Sequence, residues 1–296
     1  MKPYYDHGGV TLYHADCRDV LDSAALFGPD GHGFVDHVVT DPPYSEHTHA
    51  KQRYGASGPP RRNGKGRVSP ASFSRSADLG FASLSPELRA HCALMFAALA
   101  RRWVLVFSDV EMCGEWRRDL GTAGLEYVRT GAWVKLGATP QFTGDRPAAG
   151  FEAVTVCHPR RKKRWNGGGS HAVWSVPIVQ NRPGRGLRDT KGEGRWHTTP
   201  KPLALMQTLV SLFTDPGELV LDPFAGGGTT LLACRNLGRR AVGVEVDEGC
   251  CERVAKRLSQ EVLPCSAPAA LALEWQPQLV LSSGAALDGD GGDRRR

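Results

Sequence analysis

Apolar positions along the chain fall into two kinds of run. Short, β-branched stretches recur at Val10–His14 (VTLYH), Val35–Thr40 (VDHVVT), Trp103–Ser108 (WVLVFS), Tyr127–Lys135, Ala153–His158, Glu218–Leu221 (ELVL) and Ala241–Glu245 (AVGVE). Each has the length and residue types of a strand. WVLVFS lacks polar alternation, which predicts a strand covered on both faces. Between these runs the apolar period lengthens to that of a helix. Asp16–Leu26 opens on an acidic cap, and Ser85–Arg101 carries Leu88, Cys92, Met95, Phe96 and Leu99 on one face. Met112–Ala123, Lys201–Phe213, Thr229–Leu237 and Glu248–Leu258 complete the helical set. Strands alternating with helices predict an α/β fold built on a doubly wound, mostly parallel sheet.

Two stretches break the pattern. From Ser45 to about Ser83, and again from Arg160 to Trp196, periodicity gives way to Gly, Pro, Ser and basic residues. Segments of that length without elements of their own are functional loops or disordered ones. Arg and Lys concentrate at Lys51–Arg75 and Arg160–Arg195, and these runs give the net charge of +6 its meaning. Two basic inserts in one chain point to a polyanionic partner. Beyond Val262 the composition drifts to Ala, Gly, Asp and Arg, which predicts a loose tail. No apolar run approaches the roughly 18 residues of a membrane span, and the N-terminus lacks the apolar core of a signal peptide. A cytoplasmic protein with no membrane partner is the expectation. The eight cysteines show no zinc spacing and are expected as reduced thiols. His47 and His49 form an isolated pair, so no metal is expected.

Two motifs carry candidate chemistry. Asp222-Pro-Phe-Ala-Gly-Gly-Gly-Thr-Thr230 joins a strand to a helix through glycines, where backbone can approach a ligand closely. Asp222 ends the strand, placed to accept bonds from an ammonium group. Glu245 ends the next strand, where an acidic residue in such folds takes ribose hydroxyls. The phosphate-loop pattern GxxxxGK[ST] is absent. The second motif is Asp41-Pro42-Pro43-Tyr44. Paired prolines cannot continue a helix or a central strand, so they fix a rigid turn at the strand end. A carboxylate, a proline carbonyl and an aromatic face suit a planar ring bearing an amino group: two acceptors for its hydrogens and a stacking surface for its plane.

DPPY followed much later by DPFAGGGTT resembles the amino-methyltransferases of DNA, in the permuted order called the β class. LYHADCRDVL resembles the opening segment of that family, His197-Thr-Thr-Pro-Lys201-Pro202 its H-x-T-x-K-P segment, and Ala241–Leu258 its closing strand and helix. The likeness covers residues 10–50, 95–158 and 197–260. It implies a Rossmann-like S-adenosylmethionine-dependent methyltransferase fold. Residues 1–158 would form the catalytic half with a mobile loop at 45–83, 159–196 a target-recognition insert, 197–262 the cofactor half and 263–296 the tail. It further implies that Asp16 meets the cofactor adenine. Glu245 would take the ribose, and Phe224, Ala225, Gly226 and Gly228 would wrap the methionine moiety. Asp222, Thr199 and Lys201 would lie near its charged end. Asp41, Pro42, Pro43 and Tyr44 would hold the target base, flipped out of double-stranded DNA.

The implied reaction is methylation of an exocyclic amine, with adenine N6 favoured over cytosine N4 because Asp rather than Ser opens the turn. Trp165 or Trp174 would fill the gap in the duplex or stack. A separate restriction endonuclease is an implied partner, in a prokaryotic or phage-encoded setting. Cytosine C5 chemistry would need a nucleophilic Cys after Pro, and the only such pair, Pro264-Cys265, lies beyond the last core helix. A DNA-binding protein that has lost activity is the alternative from another class, and cofactor binding separates the two.

Overall fold

A computed structural model describes residues 1–23, 35–44, 83–138, 147–178 and 200–260. The strands are β1 Tyr5–His7, β2 Val10–His14, β3 His37–Thr40, β4 Val104–Ser108, β5 Glu126–Leu136, β6 Phe151–His158, β7 Val173–Pro177, β8 Leu219–Asp222 and β9 Arg240–Glu245. The helices are α1 Cys17–Leu21, α2 Pro86–Leu99, α3 Val110–Thr122, α4 Leu203–Phe213, α5 Thr229–Asn236 and α6 Glu248–Ser259. The strands make one sheet in the order β1-β2-β9-β8-β3-β4-β6-β5-β7. From β2 to β4 every pairing is parallel; β6 runs against β4 and β5 against β6.

Alternate residues of the central strands supply two apolar layers. Val39, Leu105 and Phe107 face α4 and α5, which bring Leu205, Leu209, Leu231 and Leu232. Val38, Val104 and Val106 face α2 and α3, which bring Phe96, Leu99, Trp116 and Leu120. All five β4 residues are buried, as the unbroken apolar run WVLVFS requires. Helix α2 buries Arg89 as well as its apolar stripe, because that guanidinium pairs with Glu115 and Asp119 of α3.

The centre of the sheet is where the two halves of the chain meet. β3 from the N-terminal half lies beside β8 from the C-terminal half, both parallel. Their carboxyl ends, Thr40 and Asp222, therefore open on the same edge, together with the ends of β2, β9 and β4. In open α/β sheets the ligand crevice lies at that edge.

Most expected elements are observed within one to three residues of their predicted ends. The helix expected at Asp16–Leu26 is described only as Cys17–Leu21, and its expected continuation falls outside the described residues. No element is expected within Arg160–Trp196, yet β7 forms there and pairs in parallel with β5. Asn166 donates to the Ser211 and Thr214 carbonyls at the end of α4, and Trp165 packs edge-on against Phe213 at 4.7 Å. Residues 173–177 thus extend the sheet, and Trp165 and Trp174 pack against its core. Strand β1, too short and polar to show a period, was also missed. Residues 45–82 of the first loop, the 179–199 part of the second insert and the C-terminal tail from residue 261 lie outside the described residues.

Candidate functional site

Strand β3 delivers Asp41 to the carboxyl edge, and the two prolines carry the chain on to Tyr44. Asp41 Oδ2 accepts a 2.5 Å bond from Lys201 Nζ, contributed by the segment that leads into α4. The same ammonium lies 3.2 Å from Glu152 Oε2, on β6. Tyr44 donates its hydroxyl to that oxygen at 2.6 Å, and Lys135 Nζ of β5 pairs with Glu152 Oε1 at 2.6 Å. Lys201 Nζ also sits 5.1 Å from the Tyr44 ring centroid and 5.4 Å from that of Phe107. Two carboxylates and two ammoniums therefore share one pocket with an aromatic ring.

Asp41 Oδ1 is closed off and has no hydrogen-bond partner within the described protein, although 27% of the side chain remains accessible. A buried, unsatisfied carboxylate oxygen is costly, and such an atom calls for a donor from a ligand. Burial pushes the Asp41 carboxyl up, with Glu152 adding to the rise and Lys201 opposing it. For Glu152 burial acts in the same sense, but Lys201 and Lys135 outweigh it and hold the carboxyl below its ordinary value. Burial works against the Lys201 charge, and Asp41 and Glu152 more than compensate, so its pKa is raised. Burial and the two carboxylates raise the Tyr44 phenol well above its ordinary value. The phenol is thus a hydrogen-bond donor and not a phenolate.

The glycine loop lies on the neighbouring strand end. Gly226 and Gly228 have φ of 51° and 68°, the left-handed region that favours glycine. A Cβ on Gly228 would stand 2.6 Å from Val254 Cγ1 of α6. Glu245 Oε2 accepts from the Gly226 amide at 2.7 Å and Oε1 from the Asp247 amide at 2.8 Å, so the carboxylate ties strand end to loop. Arg257 donates to the Gly227 carbonyl, and Ala225 donates to the Val244 carbonyl. Asp222 is buried beneath the loop. It accepts from Thr40 Oγ1 at 2.8 Å and from the Phe224 amide at 3.2 Å. Burial pushes its carboxyl up to about 6 despite those bonds. Asp16 caps α1 beside β9, held by the Arg18 amide and guanidinium, and the Arg18 bond pulls its pKa down to about 2.

The structure thus gathers Asp16, Asp222, Phe224, Ala225, Gly226, Gly228 and Glu245 along adjacent strand ends, and Asp41, Pro42, Pro43 and Tyr44 next to them. Thr199 lies outside the described residues. Lys201, expected near the charged end of the cofactor, stands in the Asp41 group, its ammonium drawn between two buried carboxylates. Trp174, whose backbone pairs in register with Trp133 of β5, is buried in the core, and Trp165 packs on Phe213 at the amino edge of the sheet. The basic cluster 160–164 follows β6 at that same far edge, since Cys157 pairs with Val104 at the start of β4. There Lys163 pairs with Glu126 and Arg164 with Asp215. Sequence reasoning missed Glu152 and Lys135. The available signal was a charge inside each apolar strand run, FEAVTV and AWVKL. Among the described residues no group of side chains has the makeup of a metal site, and seven of the cysteines are free.

Residues 126–257 match the family model described as DNA methylase. Type II methyltransferase M.HindIII of Haemophilus influenzae is 42% identical over 79 residues, covering 27% of this chain and 26% of that protein. Type II methyltransferase M.XycI of Xanthomonas campestris pv. cyanopsidis is 31% identical over 142 residues, covering 45% and 44%. The chain spans between about a quarter and under a half of the length of the curated relatives it matches. Among solved structures, the M1.HpyAVI–SAM complex aligns with a TM-score of 0.58 at 24% identity, over 85% of this chain and all of that one. PvuII DNA methyltransferase (cytosine-N4-specific) aligns with a TM-score of 0.61 at 15% identity, over 88% and 90%. Fold and strand-edge crevice together define an α/β protein with the methyltransferase architecture. Over residues 126–257 the chain resembles the DNA methylase family.

Proposed function

We propose that the chain is an S-adenosylmethionine-dependent DNA methyltransferase that methylates adenine N6 in double-stranded DNA, taking the base out of the helix to do so. The observation that carries this reading is Asp41 Oδ1, a buried acceptor with no donor among the described residues, at the turn that also bears Tyr44.

The residues present fit the cofactor. Asp222 is a buried carboxylate with a raised pKa, which a nearby cationic group would relieve, and the run Gly226–Gly228 has no side chain to bar a close approach. Glu245 and Asp16 lie on neighbouring strand ends, joined by the bond from the Ala15 amide to the Glu245 carbonyl, which supports ribose and adenine contacts on one ligand. When bound, S-adenosylmethionine supplies the electrophilic methyl group.

The amino nitrogen of adenine is a poor nucleophile because its lone pair is delocalised into the ring. Asp41 Oδ1 and the Pro42 carbonyl accept its two hydrogens and favour a pyramidal nitrogen, whose lone pair then points toward the crevice. Tyr44 holds the ring by stacking, and Lys201 fixes the Asp41 carboxylate by occupying Oδ2. These groups act by orientation and by acceptors already in place. Flipping costs a few kcal/mol of lost stacking and pairing, offset by phosphate contacts from basic segments. Adenine is preferred to cytosine because the turn opens with Asp41. Incubation with unmethylated DNA and isotopically labelled cofactor, followed by nucleoside analysis, tests the proposal.

A further inference from the structure

Glu152 has no place in the site as the sequence presents it. Structurally it is the hub. Its side chain is buried at the start of β6, paired across the sheet with Trp133, and both oxygens are engaged. Oε1 accepts from Lys135; Oε2 accepts from both Tyr44 and Lys201. A carboxylate so occupied is not free to accept a substrate amine, and that task remains with Asp41 Oδ1. What Glu152 can do is hold the groups that touch the base. The Tyr44 ring is tied at its phenol end to β6 through this bond, while its backbone leaves the Asp41 turn for residues outside the described set. The Lys201 ammonium is held in position to pin Asp41 Oδ2. Without Glu152, two ammoniums would face a single carboxylate, and the phenol would lose its acceptor.

We propose that Glu152 is a positioning residue for methyl transfer, fixing the plane of the Tyr44 ring and the Asp41–Lys201 pair. This rests on the methyltransferase reading above. The bond from the Tyr44 hydroxyl to Oε2 is its main line of action. Lys135 serves the same end by neutralising the second charge that the buried carboxylate and its neighbours would otherwise leave.

The test uses the full chain, labelled S-adenosylmethionine and PCR-amplified bacterial genomic DNA, which carries every short sequence unmethylated. Glu152→Gln is expected to lower the single-turnover methylation rate by about 10- to 100-fold, the scale of a misplacement near 1 Å. Cofactor affinity should stay within about twofold, since the change is confined to the reacting geometry. A merely structural role would lower the folded fraction and cofactor binding together. In a Tyr44→Phe background, which keeps the ring and removes the hydroxyl, the same Glu152→Gln substitution should cost less than about a third of its original factor, because both changes act on one bond, the first by removing its donor and the second by removing the charge of its acceptor. Full additivity in that cycle, or an unimpaired Glu152→Gln enzyme, would overturn the proposal. Should Glu152→Gln fail to fold, Tyr44→Phe alone must reproduce a loss in rate with cofactor affinity retained; a fully active Tyr44→Phe enzyme refutes the positioning bond. Absence of methylation by the unaltered chain would instead refute the parent reading.

Discussion

Cofactor affinity should depend on pH through Asp222. This carboxyl is 2% exposed and titrates at about 6, against 3.8 for an ordinary aspartate, with burial as the main cause. The difference of about two units corresponds to roughly 3 kcal/mol of unfavourable free energy for the ionised, folded state. Because the folded pKa is raised, the native protein binds this proton more tightly than the unfolded chain. The group therefore costs stability as pH rises from about 4 to about 6, and nothing further above that. A cationic ligand beside Asp222 offsets the penalty and draws the proton off. Affinity for S-adenosylmethionine should accordingly fall by up to about tenfold per pH unit below 6 and level off above 7. Titration calorimetry at pH 5, 6, 7 and 8, in buffers of differing ionisation enthalpy, should show release of about half a proton near pH 6. Asp222→Asn should bind weakly at every pH and flatten the profile. Affinity independent of pH between 5 and 7.5 in the unaltered protein, or proton uptake on binding, would refute the placement of a cationic group at Asp222.

Further outcomes follow from the same geometry. Gly228→Ala should destabilise the fold by about 1–3 kcal/mol, the scale of backbone strain at a left-handed position, with the Val254 collision at 2.6 Å adding to it; an unchanged thermal midpoint would contradict the loop geometry. Lys201→Met should raise the Asp41 pKa further by removing its counter-charge. The acid limb of the rate profile would then move to higher pH, and an unmoved limb would dissociate Asp41 from catalysis. Neutralising Arg160, Arg161, Lys162 and Lys163 should leave the salt dependence of DNA binding unchanged, because that cluster sits at the far edge of the sheet. Anisotropy titrations that show the log–log slope flattened by about 0.9 per lost contact would place DNA there instead.

What the sequence disclosed, and what it hid, follows from the range of each signal. Elements with a full period, such as WVLVFS or the helix ending at Phe213, were legible because burial repeats every second or every third to fourth residue. Motif residues were legible where strain or chemistry narrows the choice, as at Gly226, Gly228 and the Asp41 turn. Strand β7 was hidden among glycines and basic residues, and its short VWSVP run acquires meaning only beside β5. Glu152 and Lys135 look like solvated charges until the antiparallel pairing of β5 with β6 brings both to the Asp41 edge. Lys201 was legible as a site residue but its partner was not, since chain distance gives no hint that Asp41, 160 residues earlier, lies beside it. The basic cluster at Arg160 showed the converse: charge was legible, but which edge it occupies depends on strand direction.

The most direct test of the central claim is the identity of the methylated base. DNA treated with the purified chain and S-adenosylmethionine is digested to nucleosides and resolved by mass spectrometry, alongside DNA treated with Asp41→Ala. N6-methyladenine in the first sample and none in the second is the predicted result. N4-methylcytosine, lost in Asp41→Ala, would keep the chemistry and overturn the adenine assignment; DNA without any methylated amine would contradict the account itself.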